Sequence, residues 1–197
     1  RSDQSDLDDY SNHGHKDPKH LEVRTKKPFF APRGAHPMPL PLIAVDIGNT
    51  SIRIGLFETV RKDPLEPANV LLLDCTLPDS EILHEWLPDT PARWYVCSVH
   101  RGSARSLRKW VARWRLDDAY DELSHAHVPI VVDVDAPQLV GMDRLMAAVA
   151  ADHVRQPDRP VIAIDAGSAI TVDALSANGA FLGGSILPGI SMSAAAL

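Results

Sequence analysis

The sequence predicts an α/β protein assembled from a duplicated strand–turn–strand unit. From Leu42 onward, apolar runs of strand length alternate with stretches of helical period, in the order β-β-β-α-β-α-β, followed by a further helix and three more strands. The segment "AVDIGNTSIRIGLF" is echoed by "AIDAGSAITVDALS". Each is an apolar strand ending in Asp-x-Gly, then a small polar residue, then an alternating strand. Asp46 and Asp165 lie 119 residues apart, a length that fits one small α/β subdomain plus a linking helix, and internal duplication explains the echo.

The elements follow in order. Residues 42–47 read as a buried strand and 48–50 as a turn, and 51–57 alternate with Ile52, Ile54 and Leu56 on one face. "NVLLLDCTL" (69–77) supplies a third, antiparallel strand, "DSEILHEWL" (79–87) a short helix, and "RWYVCSV" (93–99) a fourth strand. In "SARSLRKWVARWRL" (103–116), Leu107, Trp110, Val111 and Trp114 recur at helical spacing, which predicts a helix burying two indoles. "VPIVVDV" (128–134) is expected as the fifth strand. A helix from about Asp143 precedes strand runs at 160–165, 169–175 and 180–186. The division expected is a disordered polar leader at 1–41, a first subdomain at 42–141, and a linking helix with the start of a second subdomain at 142–197. The leader carries Pro18, Pro28, Pro32, Pro37, Pro39 and Pro41 and no periodicity, so it buries too little apolar surface to offset its ordering entropy.

The net charge of −6 is uneven, because residues 1–41 hold 7 Lys/Arg against 6 Asp/Glu and the rest holds 13 against 20. An acidic body argues against a nucleic-acid surface, which draws its affinity from a basic field. No apolar run approaches the roughly 18 residues of a membrane helix, and the N-terminus lacks a signal-peptide core, so no membrane partner and a cytoplasmic setting are expected. Cys75 and Cys97, each in a strand-like run, read as two buried thiols. The basic residues Arg101, Arg105, Arg108, Lys109, Arg113 and Arg115 read as a solvated helix face, and His125 and His127 as loop residues. The chain starts at Arg1 without an initiator Met and stops at "SMSAAAL", which reads as a helix opening, so a fragment is expected.

The repeated turn carries the chemistry. Gly48 and Gly167 remove Cβ at each bend and let backbone N–H groups approach an anion, with hydroxyls from Thr50, Ser51 and Ser168 alongside. Asp46 and Asp165 supply carboxylate oxygens for the cations that accompany a polyphosphate. The plainer reading, an Asp that only caps its own turn, is weakened by the matching positions of the two copies. In "GMDRLMAAVAA", Asp143 is expected as a helix N-cap. It would also accept a hydroxyl proton, while Arg144 pairs with an anionic group such as a carboxylate. "GGSILPGI" lacks the Gly-Lys-Ser/Thr ending of a P-loop and reads as tight packing or a dimer contact.

With these residues in place, the chain resembles the type III pantothenate kinases of the actin, sugar-kinase and heat-shock ATPase superfamily. "DIGNTSIRIGL" is similar to the first phosphate motif, "GMDR" to the Gly-x-Asp-Arg substrate motif, and "DAGSAITVDAL…GAFLGGSILPGI" to the second phosphate motif, in family order over 42–197. The resemblance implies a duplicated ribonuclease-H-like (actin-like ATPase) fold, its second half truncated at the C-terminus. It also implies a homodimer and ATP-dependent phosphorylation of pantothenate to 4′-phosphopantothenate, the first step towards coenzyme A. By position, Asp46, Ile47, Gly48, Asn49, Thr50, Ser51, Ile52 and Arg53 would line the ATP phosphates, with Asp46 near Mg2+. Gly141, Met142, Asp143 and Arg144 would bind pantothenate, with Asp143 as proton acceptor. Asp165 would ligate a monovalent cation (K+ or NH4+), and Ser168, where the family usually has Thr, would touch ATP. Rival readings are another small-molecule kinase of the superfamily and a nucleotide-binding regulator without turnover.

Overall fold

Two sheets and a helix between them organise the protein, whose computed structural model describes residues 41–58, 66–75 and 80–196. The expected leader, apart from Pro41, lies outside the described residues. The first sheet comprises β1 (Leu42–Ile47), β2 (Ser51–Phe57), β3 (Asn69–Asp74), β4 (Arg93–Ser98) and β5 (Ala119–Glu122), in the spatial order β3-β2-β1-β4-β5. β1, β2 and β3 form an antiparallel meander, whereas β4 runs parallel to β1 and β5 parallel to β4. That mixed order is the ribonuclease-H-like arrangement. Parallel neighbours need crossovers, and these are supplied by α1 (Ser80–Trp86) and α2 (Arg101–Trp114).

Alternation along β1 buries Ile43, Val45 and Ile47 on the face covered by Leu83, Leu107, Trp110 and Val111 of the two helices. The basic residues of α2 point to solvent, as expected, except that Arg115 at its end folds onto Asp118 with Nε 2.8 Å from Oδ2. Of the two indoles, only Trp110 enters the core. Trp114 is 51% exposed, edge-on to His84 and under the Arg113 guanidinium.

The fifth strand is not where the apolar pattern put it. Ala119–Glu122 pairs with β4, anchored by Asp118, which accepts from the Ala92 N–H (3.0 Å) and from Trp94 Nε1 (2.7 Å). An edge strand one residue beyond this anchor has no need of apolar side chains. Residues 128–134 are apolar for another reason: Val128, Ile130, Val132 and Val134 pack into a second core. Their backbone reaches the second sheet, with Asp133 N–H donating to Phe181 O and Phe181 N–H to Val131 O, both at 2.8 Å.

That second sheet is an antiparallel meander of β6 (Val161–Ala166), β7 (Ala169–Leu175) and β8 (Phe181–Pro188). It repeats the β1-β2-β3 meander, with Asp165 penultimate in β6 as Asp46 is in β1. The helix α3 (Met142–Val154) is wedged between the sheets: Met142, Leu145 and Ala148 share one core with Cys97 of β4, Leu175 of β7 and Phe181 of β8. The chain ends in α4 (Ile190–Ala196).

In "FLGGSILPGI", Gly183 takes a left-handed φ of 92°, whereas Gly184 and Gly189 are packing residues. A Cβ on Gly184 would run into the Val172 carbonyl, and one on Gly189 into the carbonyls of Gly167 and Ser168.

Candidate functional site

The two Asp-Gly bends meet. Thr50 Oγ1 and Ser168 Oγ lie 2.8 Å apart in a direct hydrogen bond, although 118 residues separate them in sequence. Main-chain bonds close each bend: the Gly48 N–H donates to Ser51 O (3.0 Å) and the Gly167 N–H to Ala169 O (2.9 Å). The bends therefore close without help from the aspartates, and those two N–H groups are spent locally rather than on a ligand. Neither glycine has a positive φ. A Cβ on Gly48 would stand 3.4 Å from Ser51 O, and one on Gly167 3.8 Å from Ala169 O, ordinary contacts in both cases. The bare surface over each bend is thus not required by the bend itself; it leaves room for something to approach.

The carboxylates gather around this junction. Asp46 is the penultimate residue of β1, Asp165 that of β6, and Asp143 sits in the first turn of α3 between the sheets. Asp46 is exposed as a residue, yet partial burial of its carboxyl pushes it above its ordinary 3.8; Arg53 opposes the shift, while the charges of Asp143 and Asp165 add to it. Arg53 is the cross-strand partner of Asp46 on β2. Cys97, beside Asp46 on β4, has its thiol pushed up to about 12, first by burial and then by Asp46 and Asp143. It is an uncharged floor to the site, which agrees with a buried thiol of no chemistry of its own. Among the described residues no three His, Cys, Asp or Glu side chains converge into a metal cage. A divalent ion here would take one or two carboxylates and complete its shell from phosphate and water, as magnesium commonly does.

Asp143 is not the N-cap of its helix. Gly141 is, and the Asp143 Oδ1 accepts the N–H of Arg144 at 2.8 Å. The carboxylate satisfies one of the free amides of the first turn and stays part-exposed. A Cβ on Gly141 would collide with Asp143 Oδ1, so the glycine makes the space that this carboxylate occupies. Arg144 binds within the chain: its Nε and Nη2 clasp Asp173 of β7. Asp173 escaped the sequence reading, although the alternation of "AITVDAL" sets it on the same face as Leu175, which was a usable signal.

Not every residue of the expected phosphate run can contribute a side chain. Ile47 and Ile52 are fully buried, and Met142 nearly so, which leaves only their main chain for a ligand. Asn49, Thr50 and Arg53 are exposed and Ser51 is partly so. Behind the first bend, Cys75 holds it twice, with its N–H on Thr50 O (3.1 Å) and its thiol on Gly48 O (3.1 Å). Ser103 Oγ in turn donates to the Cys75 carbonyl. The two histidines of the 125–127 stretch are structural: His125 Nε2 meets Val140 O at 2.9 Å, just ahead of Gly141, and His127 Nδ1 accepts the Ser124 N–H at 3.0 Å.

A family model described as type III pantothenate kinase matches residues 42–197. Curated relatives of that name share 33% identity over 182 residues in Rhodopirellula baltica (79% of this chain, 64% of the relative) and 32% over 169 residues in Chlorobium luteolum (83% and 61%). A third, from Acidovorax ebreus, shares 34% over 166 residues (76% and 60%). The chain thus spans under two thirds of the length of these relatives. Among solved structures, a Ppx/GppA phosphatase of Aquifex aeolicus (type II variant) aligns with a TM-score of 0.41 at 11% identity, over 77% of this chain and 53% of that one.

Proposed function

Because the chain belongs to the type III pantothenate kinase family, we propose that it holds the nucleotide and acceptor sites of an ATP-dependent enzyme that phosphorylates pantothenate to 4′-phosphopantothenate. The observation that carries this reading is the direct contact of the two Asp-Gly bends, with the Asp46 carboxyl near enough to Asp143 and Asp165 to feel the charge of each. Three carboxylates so placed call for cations, and a polyphosphate brings them.

Phosphoryl transfer to an alcohol asks chiefly for alignment and charge neutralisation. The oxygen donors present fit Mg2+ at Asp46 and a monovalent ion, K+ or NH4+, at Asp165; such ions neutralise the phosphate charge when bound. Thr50, Ser51 and Ser168 offer hydroxyl donors, Arg53 a cation, and Asn49 a side-chain amide to the phosphate oxygens. Asp143 accepts the proton of the acceptor hydroxyl as the hydroxyl oxygen bonds to the terminal phosphorus and the bond from that phosphorus to the departing ADP breaks, a role worth on the order of 10²–10⁴ in rate. Gly141 and Met142 shape the acceptor site through their backbone. A cytoplasmic homodimer completes the proposal. Both cysteines are unpaired thiols, as is usual in a reducing compartment; separately, no helix among the described residues is long and apolar enough to cross a membrane.

Two measurements test it on the full-length protein. ADP release should require pantothenate and rise with potassium, and Asp143→Asn should abolish turnover while leaving ATP affinity nearly intact. Wild-type-like turnover in that variant would reject the assignment of the base.

A further inference from the structure

Asp173 is almost wholly buried, at 1% exposure. A carboxylate at that depth is costly unless paired and hydrogen-bonded. Arg144 supplies the pairing: its Nε lies 3.0 Å from Oδ1 and 3.2 Å from Oδ2, and its Nη2 also donates to Oδ1. The guanidinium lies over the Phe181 ring, 5.7 Å from its centroid. Gly184 is the ladder partner of Asp173 on β8, and a Cβ there would come within 2.6 Å of Asp173 Oδ1. A glycine on the neighbouring strand thus makes room for the carboxylate, and an aromatic ring supports its partner. This is a built clamp between β7, β8 and the start of α3.

Its reach extends one residue further. The backbone N–H of Arg144 is the donor that fixes the Asp143 Oδ1. Pinning the guanidinium pins the peptide that orients the neighbouring carboxylate. We propose that Asp173 is a positioning residue, which locks Arg144 against Phe181 and thereby sets the direction in which Asp143 presents its carboxylate to the acceptor hydroxyl. The Nε–Nη2 edge of Arg144 is spent on this task, so an acceptor anion does not find that edge open. The role in turnover rests on Asp143 being the proton acceptor; the effect on the Asp143 carboxylate itself does not.

The test is Asp173→Asn in the full-length protein, read by ¹³C NMR of the Asp143 carboxyl and by steady-state kinetics. The expected result is a displaced Asp143 signal and a kcat lowered on the order of tenfold, with the KM for ATP held within about twofold. A purely structural pair would lower the melting temperature and leave the signal and kcat in place, which overturns the proposal. If the wild type releases no ADP with pantothenate, the kinase reading falls, and the NMR signal still decides this one. Should Asp173→Asn not fold, Phe181→Leu removes the support under the guanidinium while keeping the carboxylate. A smaller shift in the same direction supports the clamp; an unmoved Asp143 signal in that variant rejects it.

Discussion

Gly141 earns its place by what stands over it. Because a Cβ there would strike Asp143 Oδ1, Gly141→Ala should fold normally but swing the carboxylate aside. Turnover should fall by about tenfold to a hundredfold with ATP affinity preserved, and paired kinetic and nucleotide-binding measurements check it. Asp46 offers a test through pH. Its carboxyl is raised above 3.8 in the folded protein, by burial first. The stability it contributes is therefore full below 3.8 and is lost as the pH rises through its higher folded value. At neutral pH the ionised group weighs against the fold. Asp46→Asn should melt higher than the wild type at pH 7, the gap should narrow on acidification towards 3.8, and nucleotide-dependent activity should be lost. Thermal unfolding across that range reads the first two effects.

Elements hold the site by close backbone approach. β8 lies so near β7 that Gly184 admits no side chain, with the Val172 carbonyl in the way. Gly184→Ala should cost about 3 kcal/mol in denaturant unfolding, since the clash is with main chain that does not yield. The first bend is held from behind by Cys75, whose thiol reaches Gly48 O. Cys75→Ala should weaken ATP binding severalfold, and Cys75→Ser, which keeps a donor, should recover most of it; titration calorimetry compares the two. Much of this level was legible in advance. The strand repeat and the alternation of "SIRIGLF" fixed both meanders, and the small-residue helix after "GMDR" placed α3. β5 was not legible, because "AYDE" has no apolar signature and draws its place from its neighbours β4 and Asp118. Residues 128–134 look like a strand of the first sheet because a segment crossing to a second core needs the same apolar side chains.

For the whole molecule, the contrast is between two cores. The first sheet is packed on one face by α1 and α2, with Ile43, Ile47, Ile52 and Ile54 wholly buried. The second sheet shares α3 on one face, while on the other Ile162 is 64% and Ile164 68% exposed. Amide exchange should accordingly be slowest in β1, β2 and β4 and faster in β6 and β8, measured by hydrogen–deuterium exchange. That distribution could not be read from the sequence, where "VIAID" and "IAVDI" are equally apolar; the difference lies in what covers them. The site was legible as a set of parts, since Asp46, Asp143 and Asp165 each begin or end an element with its own signature. Their convergence, and the Arg144–Asp173 clasp behind them, arises from the wedging of α3 between the sheets, which no local pattern encodes.

One small bond has a large reach. With Thr50 and Ser168 joined to each other, the two Asp-Gly bends are bridged by two hydroxyls. A phosphate group arriving there would trade this neutral link for two charge-assisted ones, each roughly twice as strong as a neutral hydrogen bond. Under the proposed function, arrival of the nucleotide and breaking of this link would then be one event.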